Sequence, residues 1–246
     1  MHRFFVPPEW LQHEPIVLTG PLAHQLGRVL RVKPGDHITL LDNTGWAYEI
    51  EITRVTGDQT LARLVSKAQP RTEPMTRLIL YQALTREKKF DWALQKGVEL
   101  GVAAFAPLLT ERGLLNRAEQ VRELKSERWG RIVTEAAEQS GRARLPELWP
   151  VQTVAEACAA LPPSATALIA CPGESLTLHD LEYTWRRSLP REVRLLIGPE
   201  GGFTAVEVAL ARRAGVTPIS LGPRTLRTET AGLATAAIVL YILDNL

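Results

Sequence analysis

Alternating hydrophobic and polar positions in the first third of the chain predict short β-strands joined by turns. The clearest alternation runs over residues 46–52, where large apolar side chains are separated by alanine and glutamate. Because successive side chains on a strand point to opposite faces of the sheet, a period of two predicts a half-buried strand. Turns are predicted at residues 33–36 and 43–45, and one short helix at about residues 21–30. The N-terminal part is therefore predicted to be mainly β-structure.

A different pattern begins at Arg77, where apolar runs alternate with helical periodicity. Strands interleaved with helices are typical of an α/β domain with a mostly parallel sheet. Between the two patterns, residues 69–74 supply two prolines among polar side chains and are predicted to be a linker. We therefore expect one domain at residues 1–72 and another at residues 73–246. The apolar runs lie at residues 78–81, 103–109, 167–170, 193–197 and 216–221, and the helices at about 86–100, 117–140, 204–215 and 230–244.

The last predicted helix is apolar nearly all round over residues 231–243. A helix with only one buried face carries polar residues on the other, so this one is predicted to be buried on several sides. Burial within one domain is the simpler account. Its small residues would also allow close packing against a partner chain.

Composition narrows the class of protein. The 246 residues are 45% hydrophobic and 23% charged, as in globular proteins. A net charge of +2 is too small for binding nucleic acid by charge alone, so an RNA partner would need a local basic patch. The sequence has neither an apolar run of membrane-spanning length nor a secretory signal, and a cytoplasmic protein is expected. Cys158 and Cys171 are too far apart for a Cys-x-x-Cys site, so both are expected to be buried and no metal is expected.

Two predicted strands near the C-terminus are each followed by a glycine-containing loop. The loop at residues 198–202 precedes Thr204 and Glu207, which have the spacing of a helix capping box. The loop at residues 222–229 follows the next strand. Ligands bind at the carboxyl ends of parallel strands, so the two loops could form one pocket. They could equally be plain connections with glycine turns. The common nucleotide, zinc and serine-hydrolase motifs are absent from the sequence, which disfavours those three functions.

Several motifs in order give the chain a resemblance to a known family. Gly198-Pro199-Glu200-Gly201-Gly202-Phe203 followed by Leu221-Gly222-Pro223-Arg224-Thr225-Leu226-Arg227-Thr228-Glu229-Thr230-Ala231 resembles the paired signature of the RsmE family. These enzymes make N3-methyluridine in small-subunit (16S) ribosomal RNA. Further matches follow the family order at residues 3–5, 24–31, 95–102 and 135–142.

The resemblance implies an α/β fold of the SPOUT class, with a C-terminal trefoil knot and a preceding PUA-like β-barrel. It also implies that S-adenosylmethionine lies in the two loops, held mainly by backbone groups. A third loop at residues 170–174 is implied to face the cofactor, but its sequence is not distinctive. The residues implied to bind the cofactor are Ile197, Gly198, Pro199, Glu200, Gly201, Gly202, Ser220, Leu221, Gly222, Leu226, Arg227 and Thr230.

Methylation at uridine N3 requires removal of a proton or stabilisation of the resulting anion. Arg227 is the first choice for a stabilising cation, because a guanidinium can stabilise a developing oxyanion. Glu229 and Glu200 are the candidate bases. The alternatives are structural: Arg227 could form an ion pair that only fixes the loop, and either carboxylate could simply cap a helix.

Basic residues in two regions are expected to contact RNA phosphates, which would position the RNA rather than read its sequence. Lys89 and Lys96 lie on one face of the helix predicted at residues 86–100, although a solvated helix face has the same pattern. The second set comes from the predicted barrel and comprises Arg3, His24, Arg28 and Arg31. The expected partners are ribosomal RNA or the small ribosomal subunit, and a second copy of the chain in a homodimer.

Two other functions stay open at this point. The chain could be a SPOUT methyltransferase that acts on another RNA position or on transfer RNA. It could also be a non-catalytic, RNA-binding ribosome factor that has kept the same fold. The intact paired loops favour an enzyme over the second alternative.

Overall fold

The computed structural model describes residues 2–85, 87–113 and 126–243. The chain divides into two compact units. The first comprises residues 1–73 together with residues 137–145, and the second comprises residues 74–136 and 146–246. Within the first unit, the Glu73 carboxylate holds the later segment by accepting hydrogen bonds from the Arg142 guanidinium at 2.6 Å and from the backbone N–H of Ala143 at 3.0 Å.

The first unit is built on a five-stranded sheet with the order β1-β3-β4-β5-β2. Its first strand pairs in parallel with β3 and the other pairings are antiparallel. The predicted alternation is confirmed in β4, where Ile50 and Ile52 are fully buried and the glutamates beside them are partly exposed. The helix predicted at residues 21–30 is present as α1, which continues into a π-helical segment, Gln25–Leu30. The elements are β1 (Arg3–Phe5), β2 (Ile16–Thr19), α1 (Gly20–His24), β3 (His37–Leu41), β4 (Ala47–Val55) and β5 (Gln59–Ala68).

The second unit contains a seven-stranded sheet. Six of its strands follow the order β12-β10-β11-β6-β7-β8, and the seventh, β9, pairs with β7. The pairings among these strands are parallel, which confirms the predicted α/β arrangement. The strands are β6 (Arg77–Ala83), β7 (Ala104–Leu109), β8 (Glu147–Leu148), β9 (Gln152–Thr153), β10 (Thr166–Ala170), β11 (Glu192–Ile197) and β12 (Thr217–Ile219). The helices are α2 (Glu87–Leu100), α3 (Ser126–Ser140), α4 (Val154–Ala159), α5 (Leu178–Arg187), α6 (Ala205–Arg213) and α7 (Thr228–Ile242).

The predicted helices at residues 86–100, 117–140 and 230–244 are largely present, but residues 86, 117–125 and 244 lie outside the described residues. Over the described ranges, no helix combines the length and the apolar character that crossing a lipid bilayer requires. Cys158 and Cys171 are both buried, as predicted.

The C-terminal helix α7 is buried on several sides, as its apolar sequence predicts. Ala236, Val239 and Leu240 are fully buried. Two large apolar side chains on the same helix are nevertheless exposed, Ile238 at 46% and Tyr241 at 64%. The helix therefore belongs to the core but also presents an apolar strip to solvent.

Candidate active site

The ends of three neighbouring parallel strands, β12, β10 and β11, meet at one edge of the second sheet. The backbone N–H of Cys171, just after β10, donates to the Ile219 carbonyl at the end of β12 over 2.9 Å. Between the loops that follow these strands lies a cleft with about 590 Å³ of empty space, part of it open to solvent. Its lining residues are Ala170, Cys171, Pro172, Ile197, Gly198, Pro199, Glu200, Gly202, Leu221, Gly222, Arg224, Thr225, Leu226, Thr228 and Ala231.

The first loop is a tight turn closed by a hydrogen bond from the Gly202 N–H to the Pro199 carbonyl, 2.8 Å long. Gly202 has a φ of +66°, a conformation that favours glycine. At Gly198 a Cβ would lie 3.1 Å from the Phe203 ring, so the backbone there packs closely on that ring. The predicted capping box of Thr204 and Glu207 then starts α6. These contacts fix the loop backbone along one wall of the cleft.

The second loop leaves β12 and ends at the first residue of α7. Gly222 has a φ of +99°, and its N–H donates to the Ser220 hydroxyl at 3.2 Å. At the other end, the Thr228 hydroxyl donates to the Gly198 carbonyl at 2.5 Å, which joins the second loop to the first. Gln82, on β6, donates to the same hydroxyl from its side-chain amide at 2.9 Å. The two loops therefore share a buried polar connection beneath the cleft.

A lysine and two glutamates form a charged cluster beside the cleft. The ammonium of Lys89, on α2, lies 2.6 Å from Glu200 Oε1 and 3.8 Å from Glu229 Oε2. The Glu229 side chain is only 12% exposed, and its Oε2 accepts no hydrogen bond from the residues that the structure describes. Glu229 is therefore held near a cation while one of its oxygens keeps free hydrogen-bonding capacity.

Arg227 is exposed, and its side chain has no hydrogen-bond or ion-pair partner within residues 2–85, 87–113 and 126–243. Among the described residues, no glutamate forms an ion pair with Arg227, and the structural alternative for Arg227 finds no support there. Lys89 occupies that position instead.

Most of the residues implied to bind the cofactor line the cleft. Gly201 instead lines an adjoining pocket, where its carbonyl accepts a hydrogen bond from the Arg112 guanidinium at 2.9 Å. Ser220 lines an apolar groove beside α7. Arg227 and Thr230 are exposed and are not part of the cleft lining. Eight of the implied residues are brought together there, namely Ile197, Gly198, Pro199, Glu200, Gly202, Leu221, Gly222 and Leu226.

Several residues that line the cleft have no cofactor contact predicted from the sequence. Residues 170–172 belong to the third loop, which the family resemblance implied to face the cofactor without singling out a contact residue. Arg224 and Thr225 lie within the second family motif, and their place in that motif is the signal that could have found them. Thr228 and Ala231 also line the cleft, and Ala231 is buried on the first turn of α7.

The residues predicted to bind RNA fall into two groups. Arg3, His24, Arg28 and Arg31 are all exposed on the first unit. In the second unit, Lys96 is partly exposed and pairs with Glu99 of the same helix at 2.8 Å. The sequence predicted that both lysines lie on an open helix face. Lys89 instead lies next to the carboxylates of the two glutamates beside the cleft.

The cleft has the chemical character that S-adenosylmethionine needs. Leu221, Leu226 and Ala231 supply apolar contacts, and glycine backbone without side chains allows a ligand to come close to peptide groups. An adenine ring has apolar faces and a polar edge, so the two surfaces are complementary. Burial raises the pKa of the Cys171 thiol to about 11, which keeps it protonated near neutral pH. That cysteine therefore contributes an uncharged surface to the cleft wall.

Comparisons with known proteins agree with this geometry. A family model described as the RNA methyltransferase domain matches residues 71–240, and one described as the RNA methyltransferase PUA domain matches residues 18–65. The protein called ribosomal RNA small subunit methyltransferase E in Synechocystis is 35% identical over 245 residues, covering 99% of this chain and 78% of that protein. Its counterpart in Bacillus subtilis is 31% identical, covering 98% and 96% of the two chains.

The crystal structure of ribosomal RNA small subunit methyltransferase E from Neisseria gonorrhoeae, bound to S-adenosyl methionine, superposes with a TM-score of 0.86 at 32% identity. The match covers 98% of each chain. These matches confirm the SPOUT-type α/β domain and the preceding PUA-like domain, whereas the trefoil knot stays a prediction. The chain belongs to the ribosomal RNA small subunit methyltransferase E family, the RsmE family of S-adenosylmethionine-dependent RNA methyltransferases.

Proposed function

We propose that this protein transfers a methyl group from S-adenosylmethionine to N3 of a uridine in small-subunit (16S) ribosomal RNA. The observation that carries the proposal is the cleft formed by the two family motifs, in a chain that matches proteins named for this RNA over nearly its whole length. The proposal also specifies which uridine atom is methylated, N3. It rests on the resemblance of residues 221–231 to the family signature.

The cofactor is proposed to lie in the cleft between the two loops. Backbone groups of residues 197–202 and 220–222 would hold the adenine edge, and Leu226 would contact its face. S-adenosylmethionine, when bound, supplies an electrophilic methyl group on a sulfonium ion. These loops are proposed to be part of the trefoil knot, as the family resemblance implies.

Two residues beside the cleft are proposed to act on the uridine. Uridine N3 carries a proton, and its lone pair becomes nucleophilic when that proton leaves. Glu229 Oε2, which accepts no hydrogen bond from the described residues, can take the proton. The negative charge that develops on the uracil carbonyl oxygens can be stabilised by Arg227, whose guanidinium is exposed and has no ion-pair partner among the described residues.

The first unit is proposed to position the RNA. Its exposed Arg3, His24, Arg28 and Arg31 would contact phosphates, as Lys96 would on the second unit. Lys89 would meet the RNA close to the target base, since it lies at the glutamates beside the cleft. We also propose domains at residues 1–72 and 73–246, with residues 137–145 of the second domain belonging to the first compact unit. A cytoplasmic location, with ribosomal RNA or the small ribosomal subunit as partner, completes the proposal.

A homodimer is proposed through the exposed apolar strip on α7. Ile238 and Tyr241 line a groove together with Leu178 of α5, and the lining is mainly apolar. A continuous exposed apolar surface of this kind marks an interaction site. Leu221 and Leu226 line both this groove and the cleft, so a second copy of the chain would lie against the cofactor loops.

The decisive experiment incubates the purified protein and methyl-labelled S-adenosylmethionine with naked 16S RNA, assembled small subunits and transfer RNA. The labelled nucleoside is then identified after digestion. We expect label in N3-methyluridine from the ribosomal substrates. Label confined to transfer RNA, or in another nucleoside, would overturn the substrate assignment. Cofactor binding without transfer to any of the three RNAs would support a non-catalytic ribosome factor instead.

A further inference from the structure

We propose that Gln82 is a positioning residue that fixes the spacing of the two cofactor loops through the Thr228 hydroxyl. This inference rests on the proposed function of the cleft. Gln82 does not line the cleft and belongs to none of the sequence motifs. It lies near the end of β6, paired with Ile197 at the end of β11, directly beside the first loop.

The connection is a relay of two hydrogen bonds through the Thr228 hydroxyl, and the Gln82 amide also donates to the Thr228 backbone carbonyl at 3.4 Å. The Gln82 side-chain amide donates to Thr228 Oγ1 at 2.9 Å, and Thr228 Oγ1 donates to the Gly198 carbonyl at 2.5 Å. A hydroxyl can accept one bond and donate another, so this pattern uses both capacities. Because Gly198 begins the first loop and Thr228 ends the second, the relay ties together the two walls of the cleft.

Because the relay is buried, its hydrogen bonds stabilise one arrangement of the two loops. Gln82 is 2% exposed and Thr228 is 3% exposed, so water cannot easily replace either bond. Gln82 Oε1 accepts no hydrogen bond from the described residues, so burying this amide has a cost that an apolar side chain would avoid. We therefore assign the Gln82 amide the role of orienting the Thr228 hydroxyl toward the Gly198 carbonyl.

Gly232, one turn into α7, supports the same interpretation. A Cβ at this position would clash with Gln82 Oε1. Glycine inside a helix is less favourable than alanine, so a glycine here indicates a space requirement. The space is filled by the Gln82 amide, and the helix carries no side chain at this position that would push the amide away from Thr228.

The test compares T228V with T228S and T235V. T228V removes the hydroxyl but keeps the shape, and we expect the Kd for S-adenosylmethionine, measured by calorimetry, to rise about tenfold. T228S keeps the hydroxyl and should recover most of the lost affinity. Thr235 is a buried threonine on the same helix whose hydroxyl donates to the Ala231 carbonyl of that helix, so T235V is expected to leave the Kd unchanged.

A positioning role also predicts how the variants combine. Q82M breaks the relay at its other end, so the double variant Q82M/T228V should bind S-adenosylmethionine no more weakly than the weaker single variant. G232A should have the same effect by displacing Gln82. In steady-state assays, KM for the cofactor should rise more than kcat falls, because saturating cofactor still fills the cleft in the variants.

The outcomes separate two failures. Lower thermal stability in T228V with an unchanged Kd, or equal losses of affinity in T228V and T235V, would show that the relay is only structural. If the wild-type protein itself binds no S-adenosylmethionine, the proposed function of the cleft is wrong and this inference is wrong with it.

Discussion

Lys89 has an environment that its sequence position does not indicate. Within a helix it looks like one of two basic residues on a common face, but its ammonium lies between the carboxylates of Glu200 and Glu229. Glu200 belongs to the first cofactor loop and Glu229 to the first turn of α7. Lys89 therefore keeps two negative charges close together beside the cleft, where the proposed mechanism removes the uridine proton.

Removing the Lys89 charge should affect catalysis more than RNA affinity. In K89M the two carboxylates lose their shared cation, so we expect kcat to fall at least about tenfold. In K96M the charge is lost from a helix position where the partner is Glu99, so we expect a higher KM for RNA and an unchanged kcat. Steady-state kinetics on small-subunit RNA measures both. If K89M changed only the KM for RNA, Lys89 would be an ordinary phosphate contact.

Arg227 is predicted to act in the transition state and not in cofactor binding. It is exposed and lies outside the cleft lining, so R227M should leave the Kd for S-adenosylmethionine within about twofold of wild type. Loss of a charge-stabilising donor typically lowers kcat by about 100-fold. The control is R213M, since Arg213 is an exposed arginine at the end of α6. Equal activity of R227M and R213M would exclude Arg227 from the chemistry.

At the scale of elements, the cofactor loops depend on backbone conformations that only glycine adopts easily. Gly222 in the second loop and Gly215 after α6 have φ values of +99° and +84°, and a Cβ added to either residue would have no neighbour within 4 Å. An alanine at either site therefore costs backbone strain without a steric clash. The two glycines differ in whether a cofactor is expected next to them.

This difference gives a matched pair of variants. G222A and G215A should each lower the free energy of unfolding by about 1–2 kcal/mol, measured by denaturant titration. Only G222A should weaken S-adenosylmethionine binding, by roughly tenfold, because its loop lines the cleft. A similar loss of affinity in G215A would mean that general destabilisation, rather than loop geometry, controls binding.

The periodicity of the sequence predicted most of the elements because burial in this fold follows strand and helix periods. The run at residues 193–197 and the alternation at residues 46–52 correspond to β11 and β4. Contacts between residues far apart in the sequence produce no periodic pattern. Residues 137–145 belong to the first unit, where Arg142 contacts Glu73, 69 positions earlier in the chain, and no local sequence pattern indicates this contact.

The site could be predicted only in part, for a similar reason. Glycine loops after apolar strands indicated the cleft, and the order of motifs indicated the cofactor. The partners of polar and charged side chains could not be predicted, because they are set by how α2 and β6 lie against the loops. Lys89 and Gln82 are the examples: both reach the site from elements that carry no recognised loop motif.

At the scale of the whole molecule, the exposed strip on α7 is expected to be covered by a second copy of the chain. The double variant I238E/Y241E should be a monomer by light scattering, with reduced methyl transfer, because buried carboxylates at an apolar interface are unfavourable. V206E is the control, since Val206 is 66% exposed on α6 and outside the groove. A wild-type protein that is an active monomer would contradict the dimer.

The central claim is that S-adenosylmethionine binds between the two loops at the strand ends. A crystal structure of this protein grown with S-adenosylmethionine tests it most directly. We predict cofactor density in the cleft lined by Gly198, Gly222 and Leu226, with the Gln82 and Thr228 relay intact beneath it. Cofactor density at any other place, or an empty cleft in a protein shown by calorimetry to be saturated, would contradict the account.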